Sequence, residues 1–398
     1  MAYHKIENIK LSRAGRDRVD WARQNMPILH SIKERFIKEL PFRNQKISIC
    51  LHVEAKSAVW AETLMAGGAQ VAITGSPGST QDDTAAYMVN EMGVEVFSWR
   101  SENYKEHMEN SKRVLAANPT IIADNGGDLH FLLAKDEDCK GLSTSIIGAT
   151  EETTTGANRL REELPPFDFP TVVINDTMAK RIVENRYGVG ISVVDGIMRS
   201  TNIMLGGKLI VVVGYGYCGQ GIAQRLRGLG AHVTIVDSAP MAQLEAHLEG
   251  FKTDSLEETL PDAEIVITVT GRHHAVERHH FELMKDGVLL CNAGQNQFEM
   301  DIESLYEGAE EVRQIRPNVE ELTTTSGRKY FLLARGNAIN LAGGDGNPIE
   351  IMDLGLALQT LSLECIACRS DTLAQGPQTV PWEIEQATLK AALKEWVG

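Results

Sequence analysis

The stretch LIVVVGYGYCGQGIAQRLRGLGAHVTIVD, residues 209–237, constrains the fold more than any other part of the sequence. An apolar, β-branched run leads into three glycines with the spacing G-x-G-x-x-G, which are Gly214, Gly216 and Gly219. Apolar residues at helical spacing follow, and a second apolar run ends at Asp237. We therefore predict a strand, a tight turn, a helix and a second strand, which is the order of a dinucleotide-binding βαβ unit.

The glycines and Asp237 each suit a bound dinucleotide. The first glycine permits the tight turn, the second lets backbone amides approach a pyrophosphate, and the third lets the helix pack closely on the strand. The N-terminus of the helix attracts the negative charge of the phosphates. Asp237 can accept hydrogen bonds from ribose hydroxyls and would repel a 2′-phosphate. The sequence therefore predicts NAD, and not NADP, as the cofactor.

Length and charge limit the remaining possibilities. A chain of 398 residues is too long for a single core and favours two domains. The formal net charge is −15 without any basic block, which argues against binding to nucleic acid or to a membrane surface. The six cysteines are scattered, and no secretory signal or long apolar segment is recognisable in the sequence. We therefore expect a reduced, cytoplasmic protein without a metal site.

Strand-like and helix-like segments alternate before the glycine motif as well as after it. The segments ISICLHV, AQVAITG, VEVFSW and TIIAD have the composition of buried strands, and amphipathic segments separate them. We predict an α/β protein with two doubly wound parallel-sheet domains, the second inserted into the first. The substrate domain is predicted at residues 1–183 and 347–369, the Rossmann domain at 184–346, and a short tail at 370–398.

Several strings along the chain resemble motifs of the S-adenosyl-L-homocysteine hydrolase family, in the family's order and over nearly the whole length. They are LHVEAK (51–56), STQDD (79–83), GGDL (126–129), EETTTG (151–156), IND-x3-K (174–180), ENRYG (184–188), GYGYCGQG (214–221) and INLAGGDGNPIEIMDL (339–354). LHVEAK and the compact length resemble the shorter bacterial and archaeal branch. The family is usually tetrameric, so the resemblance implies a homo-oligomer that acts on a small purine nucleoside.

The resemblance also implies an internal redox cycle. Tightly held NAD⁺ oxidises the 3′-hydroxyl of the nucleoside, and the resulting ketone acidifies the 4′-hydrogen. A base removes that hydrogen, the 5′-substituent leaves, water adds across the 4′,5′-alkene, and NADH reduces the ketone. Such a cycle needs a base near O3′, a proton carrier near C4′ and C5′, and a site closed to water.

Candidate site residues follow from the resemblance, position by position. Lys180 would take the 3′-hydroxyl proton, a role that suits a lysine whose pKa burial has lowered, and His52 would transfer a proton at the 5′ side. Glu152 would hold the ribose hydroxyls. The other catalytic positions are Glu184, Asn125 and Gln295, and the other substrate positions are Glu54, Lys56, Ser57, Gln81, Asn347 and His130. Besides the three glycines and Asp237, the cofactor positions are Cys218, Thr153, Thr154, Thr155, Asn185, Thr270, Asn292 and Asn340.

Some of these positions depart from the family's pattern. Asn125 replaces an aspartate that acts as acid or base, and an amide cannot exchange a proton near pH 7. The other replacements are Gln295 and Asn347 for histidines, Glu184 for an aspartate, and Lys56 for the glutamate near the purine. The tail lacks the lysine-and-tyrosine segment that family members lend to a neighbouring subunit's NAD. His130, where the family often has threonine, could replace the lost acid or base.

The departures leave three functions open. Loss of both an aspartate and a histidine should slow a reaction with several proton transfers by orders of magnitude. We therefore predict a nucleoside dehydratase, which removes water to form a 4′,5′-unsaturated nucleoside, as in nucleoside-antibiotic biosynthesis. The first alternative is hydrolysis of S-adenosyl-L-homocysteine or S-inosyl-L-homocysteine. The second is a non-catalytic regulator that binds NAD and a nucleoside.

Overall fold

The computed structural model describes residues 3–294 and 297–398. The chain divides into two compact units, which are Met1–Lys180 with Ile349–Gly398 (unit 1) and Arg181–Pro348 (unit 2). The boundaries predicted from the sequence, at 183/184 and 346/347, are a few residues away. It also sets residues 370–398 apart as a tail, whereas the structure includes them in unit 1.

The strands and helices are numbered in chain order. The strands are β1 (Lys46–Cys50), β2 (Gln70–Thr74), β3 (Glu95–Phe97), β4 (Ile121–Asp124), β5 (Gly148–Glu151), β6 (Pro170–Val173), β7 (Leu209–Val213), β8 (His232–Val236), β9 (Lys252–Thr253), β10 (Ile265–Thr268), β11 (Val288–Asn292), β12 (Ala309–Arg316), β13 (Val319–Thr324), β14 (Lys329–Leu333) and β15 (Gly376–Thr379). The helices are α1 (Ser12–Gln24), α2 (Pro27–Glu39), α3 (Ala55–Ala66), α4 (Asp82–Tyr87), α5 (Tyr104–Leu115), α6 (Asp128–Lys135), α7 (Thr154–Asn158), α8 (Val189–Thr201), α9 (Tyr217–Gly228), α10 (Pro240–Leu248), α11 (Leu256–Thr259), α12 (Arg278–Leu283), α13 (Ile302–Glu307), α14 (Ile339–Ala342), α15 (Ile349–Arg369) and α16 (Trp382–Val397).

Unit 1 is built on a parallel sheet with the strand order β15-β6-β5-β4-β1-β2-β3. The central strands β4 and β5 are buried along their whole length, as expected for a parallel sheet that is covered on both faces. The strand order reverses between β4 and β1, and ligands of such sheets bind outside the carboxyl ends at that point. The sequence analysis does not predict β5, because the strand is four residues long and ends in a carboxylate.

Unit 2 has a sheet with the strand order β12-β13-β14-β11-β10-β7-β8-β9. The strands from β14 to β9 are parallel, and hydrophobic clusters cover both faces. This arrangement confirms the predicted Rossmann domain and the α/β fold class. The antiparallel hairpin of β12 and β13 is not predicted, because β12 is an exposed edge strand rich in charged residues.

Residues 370–398 complete unit 1 instead of forming a short tail. β15 extends the sheet by pairing in parallel with β6, which would otherwise be an edge strand. α16 packs on α15 and α2, and it buries Ile384, Thr388 and Ala392. The sequence alone does not show this role, because the few buried residues of α16 are mixed with exposed apolar ones such as Trp382 and Leu393.

The segment Ile349–Thr372, which contains α15, is long and apolar enough to cross a membrane by length and composition. It is the one such helix among the described residues, and 67% of its most apolar window is buried. α15 packs on α2, α3 and β5 of unit 1. Burial of this extent is typical of a core helix.

One carboxylate of α15 caps another helix of unit 1. α2 begins after Met26 without a side-chain cap of its own. The fully buried Asp353 accepts hydrogen bonds from the backbone amides of Ile28 (2.8 Å) and Leu29 (2.9 Å). Asp353 therefore satisfies two amides that the first turn of a helix leaves unpaired.

We expect Asp353→Ala to lower the free energy of unfolding of unit 1 by about 2–4 kcal/mol, since two buried amides lose their acceptor. All five tryptophans lie in unit 1, so tryptophan fluorescence in urea follows its unfolding. The matched control is Asp371→Ala, which removes an exposed carboxylate just beyond α15. Equal stability of the two variants would contradict the assigned role.

Candidate functional site

A buried ion pair lies beyond the carboxyl ends of the unit 1 strands. Nζ of Lys180 is 2.9 Å from Oε1 of Glu152, and the two side chains are 5% and 3% exposed. The other oxygen of Glu152 accepts a hydrogen bond from Nδ2 of Asn125, at 2.8 Å. Asn125 follows β4 and Glu152 follows the adjacent strand β5, so the parallel sheet brings the two side chains together. We call Lys180, Glu152 and Asn125 the ribose-side group.

The ribose-side group stabilises the ionised form of Glu152. Burial alone would raise the pKa of this carboxyl, but the Lys180 ammonium and the Asn125 amide together hold the pKa of Glu152 below its ordinary value. The site therefore presents a carboxylate with a fixed orientation and an adjacent buried amine. Such a pair can hold hydroxyl groups of a ligand and move a proton.

His52 follows β1 and interacts electrostatically with the same group. Burial is the main cause that lowers its pKa to about 4, and the nearby Lys180 and Lys56 lower it further, against the opposing effect of Glu152. Nδ1 of His52 is buried and has no hydrogen-bond partner among the described residues. An uncharged imidazole with an unsatisfied nitrogen can form a hydrogen bond with a ligand atom.

The residues after His52 form a closed capping turn at the start of α3. Nζ of Lys56 is 2.8 Å from Oε2 of Glu54, and the two side chains are 5% and 6% exposed. Oγ of Ser57 accepts a hydrogen bond from the Glu54 amide and donates to the carbonyl oxygen of His52. Ser57 thus holds the turn, whereas Glu54 and Lys56 form a second buried ion pair near the end of β1.

Gln81 lies in the loop after β2, another strand of the same sheet edge. Its amide donates to the carbonyl oxygen of Val53, and its Oε1 accepts a hydrogen bond from Thr84 at 3.4 Å. A buried chain of hydrogen bonds anchors the loop: Thr80 contacts Ser98, and Ser98 donates to Glu102. The bond to Val53 holds Gln81 beside the turn that contains Glu54, another predicted substrate position.

His130 belongs to a different hydrogen-bonded group. Its Nδ1 is 2.7 Å from Oδ2 of Asp124, and the ring is fully buried against Phe167 and Phe169. Asn125 bonds Glu152, while Asp124 bonds His130. His130, the predicted substitute acid or base, is therefore bonded to Asp124, the last residue of β4, and not to the ribose-side group.

The glycine motif of unit 2 has the tight turn and close packing that the sequence predicts for it. Gly214 has φ of +106°, which favours glycine, and a Cβ on Gly219 would lie 2.0 Å from the Gly214 carbonyl oxygen. A Cβ on Gly216 would meet no described atom within 4 Å, so open space lies in front of the N-terminus of α9. Cys218 lies in the first turn of α9. These residues fit a dinucleotide phosphate.

The loops around this glycine motif are fixed by carboxylates. Asp237 accepts hydrogen bonds from the amides of Tyr215 (2.7 Å) and Ala239 (2.8 Å). Glu299 accepts from the amides of Thr270 (2.7 Å) and Gly271 (2.8 Å), and burial raises the pKa of Glu299 to about 6. Glu299 was missed by sequence reasoning, since no recognisable spacing connects it to Thr270.

Other predicted cofactor positions occupy the same unit. Asn292 ends β11, and its side chain bonds the Gly294 amide and the Gly336 carbonyl oxygen. Asn340 donates to Oγ of Ser192, and this hydroxyl donates to Oδ1 of Asn347. Ser192 was also missed, and the structure assigns Asn347 to unit 2 instead of the substrate domain.

The remaining positions are distributed along the chain. Glu184 and Asn185 lie in unit 2, on the helical segment Ala179–Gly188, which has π-type hydrogen bonding and begins with Lys180 in its first turn. Thr153, Thr154 and Thr155 lie in unit 1 at the start of α7, where Oγ1 of Thr153 caps the helix. Gln295 lies outside the described residues.

His52 gives a testable pH dependence of stability. Between pH about 6.5 and about 4 the unfolded chain binds a proton at His52 that the folded chain does not, so stability falls as the pH falls. Since His52 is partly exposed, we expect a contribution on the order of 1 kcal/mol. His52→Asn should flatten this dependence in urea unfolding, whereas His30→Asn, on exposed α2 surface, should not. An unchanged slope in His52→Asn would contradict the burial of a neutral imidazole.

Comparisons with known proteins agree with this arrangement of two units. The family model described as S-adenosyl-L-homocysteine hydrolase matches residues 3–142, and the model described as S-adenosyl-L-homocysteine hydrolase, NAD binding domain, matches residues 185–346. These two matches cover most of the chain, one in each unit.

Proteins of similar sequence carry related names. The chain is 44% identical to the S-inosyl-L-homocysteine hydrolase of Methanopyrus kandleri, over 98% of this chain and 92% of that protein. It is 41% identical to the adenosylhomocysteinase of Sulfurisphaera tokodaii and 41% identical to the S-inosyl-L-homocysteine hydrolase of Methanocaldococcus jannaschii, each over 98% of this chain and 94% of the relative. The chain is therefore an NAD-dependent enzyme that belongs to the S-adenosyl-L-homocysteine hydrolase family.

Proposed function

We propose that the enzyme hydrolyses the thioether between a purine nucleoside and homocysteine, with S-adenosyl-L-homocysteine or S-inosyl-L-homocysteine as substrate. The observation that carries the proposal is the buried Lys180–Glu152 ion pair, with Nζ and Oε1 2.9 Å apart. The similar proteins are named as an adenosylhomocysteinase and as S-inosyl-L-homocysteine hydrolases. They support this function better than the nucleoside dehydratase that the sequence analysis favours.

In this proposal the ribose-side group binds and activates the sugar. The carboxylate of Glu152 accepts hydrogen bonds from the ribose hydroxyls. Lys180, once it has lost the proton that it holds in the ion pair with Glu152, accepts the proton of the 3′-hydroxyl. The carboxylate then stabilises the ammonium that this transfer creates. Because both side chains are buried, water competes little with these interactions.

The departures from the family's pattern are compatible with hydrolysis. Asn125 cannot carry a proton, but its amide orients the Glu152 carboxylate through a hydrogen bond of 2.8 Å. Lys180 and His52 remain as groups that can exchange protons, and His52 is uncharged near neutral pH because its pKa is about 4. We assign the 4′-hydrogen to Lys180, after this amine has released the 3′-hydroxyl proton to solvent, and the 5′ side, where the thiolate leaves and water adds, to His52.

Bound NAD⁺ supplies the oxidant for C3′ of the ribose. The chain's contribution is to hold the dinucleotide, with the pyrophosphate at Gly216 and the N-terminus of α9, and a ribose diol at Asp237. The buried Glu299 fixes the neighbouring loop through Thr270 and Gly271. We also propose that the enzyme is a homo-oligomer and that it is cytoplasmic.

Thiol release tests the proposed reaction. We expect the NAD-loaded protein to release homocysteine from S-adenosyl-L-homocysteine, S-inosyl-L-homocysteine or both, detected with a thiol reagent. Lys180→Met should lower kcat by about 1,000-fold or more, since general base catalysis and charge balance are both lost. The matched control is Lys33→Met, which removes a half-buried lysine that pairs with Glu62 elsewhere in unit 1.

Two results would contradict the proposal. One is loss of water from a purine nucleoside without thiol release, which would establish the dehydratase. The other is bound nicotinamide that stays oxidised with every nucleoside and thioether, which would leave the binding protein of the second alternative. Comparison of the adenine and hypoxanthine substrates identifies the purine in the same assay.

Gly216→Ala tests the cofactor site. The new methyl group would meet none of the described protein atoms within 4 Å, so the fold should be retained while the space for the pyrophosphate is filled. We expect the NAD content of the purified variant to fall by about ten-fold or more, because the methyl group keeps the pyrophosphate from approaching the backbone at residue 216. Gly228→Ala is the control, because Gly228 lies at the far end of α9 and its Cβ would likewise meet no atom of the described chain within 4 Å. Full NAD content in Gly216→Ala would place the phosphates elsewhere.

A further inference from the structure

Two buried carboxyl groups lie side by side on the residues that immediately precede Asn125 and Glu152 of the ribose-side group. Asp124 ends β4 and Glu151 ends β5, and the two residues are paired in register across the parallel strands. Both are almost completely buried, at 1% and 0% exposed. Asn125 and Glu152 directly follow the two strands, and side chains of successive residues in an extended chain point to opposite faces. The side chains of Asp124 and Glu151 therefore point away from those of Asn125 and Glu152, although the residues are adjacent in sequence.

Asp124 is the better-partnered of the two carboxyl groups. Its Oδ2 accepts hydrogen bonds from the His130 amide (3.0 Å) and lies 2.7 Å from Nδ1 of His130, and its Oδ1 accepts from the Asn125 amide. Oxygen or nitrogen atoms of Asp124, His130 and Glu151 all lie within 4.8 Å of one another. We call these three residues the buried acid cluster.

Glu151 holds the backbone of both loops that carry the ribose-side group. Its Oε1 accepts hydrogen bonds from the Gly126 amide (3.0 Å) and from the amide and hydroxyl of Thr153 (2.7 Å each). Gly126 follows Asn125 and Thr153 follows Glu152. Oε2 of Glu151 is buried, and none of the described residues hydrogen-bonds it. One oxygen is therefore fully used, and the other is available to carry a proton.

The surroundings of Glu151 favour its neutral form. Burial, and then the charge of Asp124, raise the pKa of Glu151 well above its ordinary value. The titratable and charged groups around it are Asp124 on β4, His130 on α6, the Cys50 thiol on β1, and Asp128 with its partners His107 and Arg159. Arg159, a positive charge in these surroundings, is bonded to Asp128 and to the Gly126 carbonyl oxygen.

We propose that Glu151 is a positioning residue that holds a proton and, together with Asp124 and His130, fixes the loops of Asn125 and Glu152. The protonated carboxyl keeps one acceptor oxygen for Gly126 and Thr153 and avoids a second buried negative charge beside Asp124. Glu151 acts through these backbone contacts and does not touch the substrate. The expected effect of Glu151 on kcat rests on the proposed function, whereas its protonation and its backbone contacts do not.

Infrared difference spectroscopy tests the proton directly. At pH about 8, above the pKa of about 7 of the buried Asp353, we expect a carboxylic-acid C=O band in the wild type that shifts in D₂O and is missing in Glu151→Gln. Glu102→Gln is the control, since Glu102 is a buried carboxyl with a raised pKa that lies outside the cluster. Absence of the band from the wild-type minus Glu151→Gln difference would overturn the proposal.

Two variants test the positioning role. Glu151→Gln keeps the acceptor oxygen and the neutral charge, so kcat should stay within about three-fold of wild type. Glu151→Asp withdraws the carboxyl from Gly126 and Thr153, so kcat should fall about 100-fold with a smaller change in KM. Equal kcat values for the two variants would overturn the proposal. Because the infrared band is read without substrate, a protein that shows the band but releases no thiol fails only the proposed function.

Discussion

The ion pair between Lys180 and Glu152 is the interaction on which the rest of the site depends. Two buried charges lose several kcal/mol of solvation each, and they are tolerated only when each has well-placed partners. Here the Glu152 carboxylate has Lys180 on one oxygen and Asn125 on the other. Removal of Lys180 would leave the buried carboxylate without its counter-charge, and removal of Asn125 would leave one carboxylate oxygen without this donor. The loops of Asn125 and Glu152 must therefore be fixed, and the sheet and the buried acid cluster fix them.

Much of the fold could be predicted because its signals are local. The three glycines, the helical apolar spacing and Asp237 lie within 29 residues, and each acts on its immediate neighbours. The parallel sheet of unit 1 follows from alternating strands and helices, which bring the ends of β1, β2 and β4 to the same edge. The segment 370–398 could not be predicted in this way, since β15 and α16 depend on partners far away in sequence.

The contacts within the site were harder to predict than its members. A list of substitutions presents Asn125 as a lost acid or base, and that view favours a dehydratase. The structure shows the Asn125 amide bonded to Glu152, a role that depends on the register of two strands. The pairing of Asp124 with Glu151 and the contact of Glu299 with Thr270 depend in the same way on tertiary structure. No spacing in the sequence encodes them.

Hydrogen exchange at C4′ tests the central claim most directly, because the proposed chemistry depends on removal of that hydrogen. The NAD-loaded enzyme would be incubated in D₂O with adenosine and with inosine, and the nucleosides analysed by mass spectrometry and NMR. The account predicts deuterium at C4′ of at least one nucleoside with the wild type and with Lys33→Met, and none with Lys180→Met. Absence of exchange from both nucleosides in the wild type, or full exchange in Lys180→Met, would contradict it.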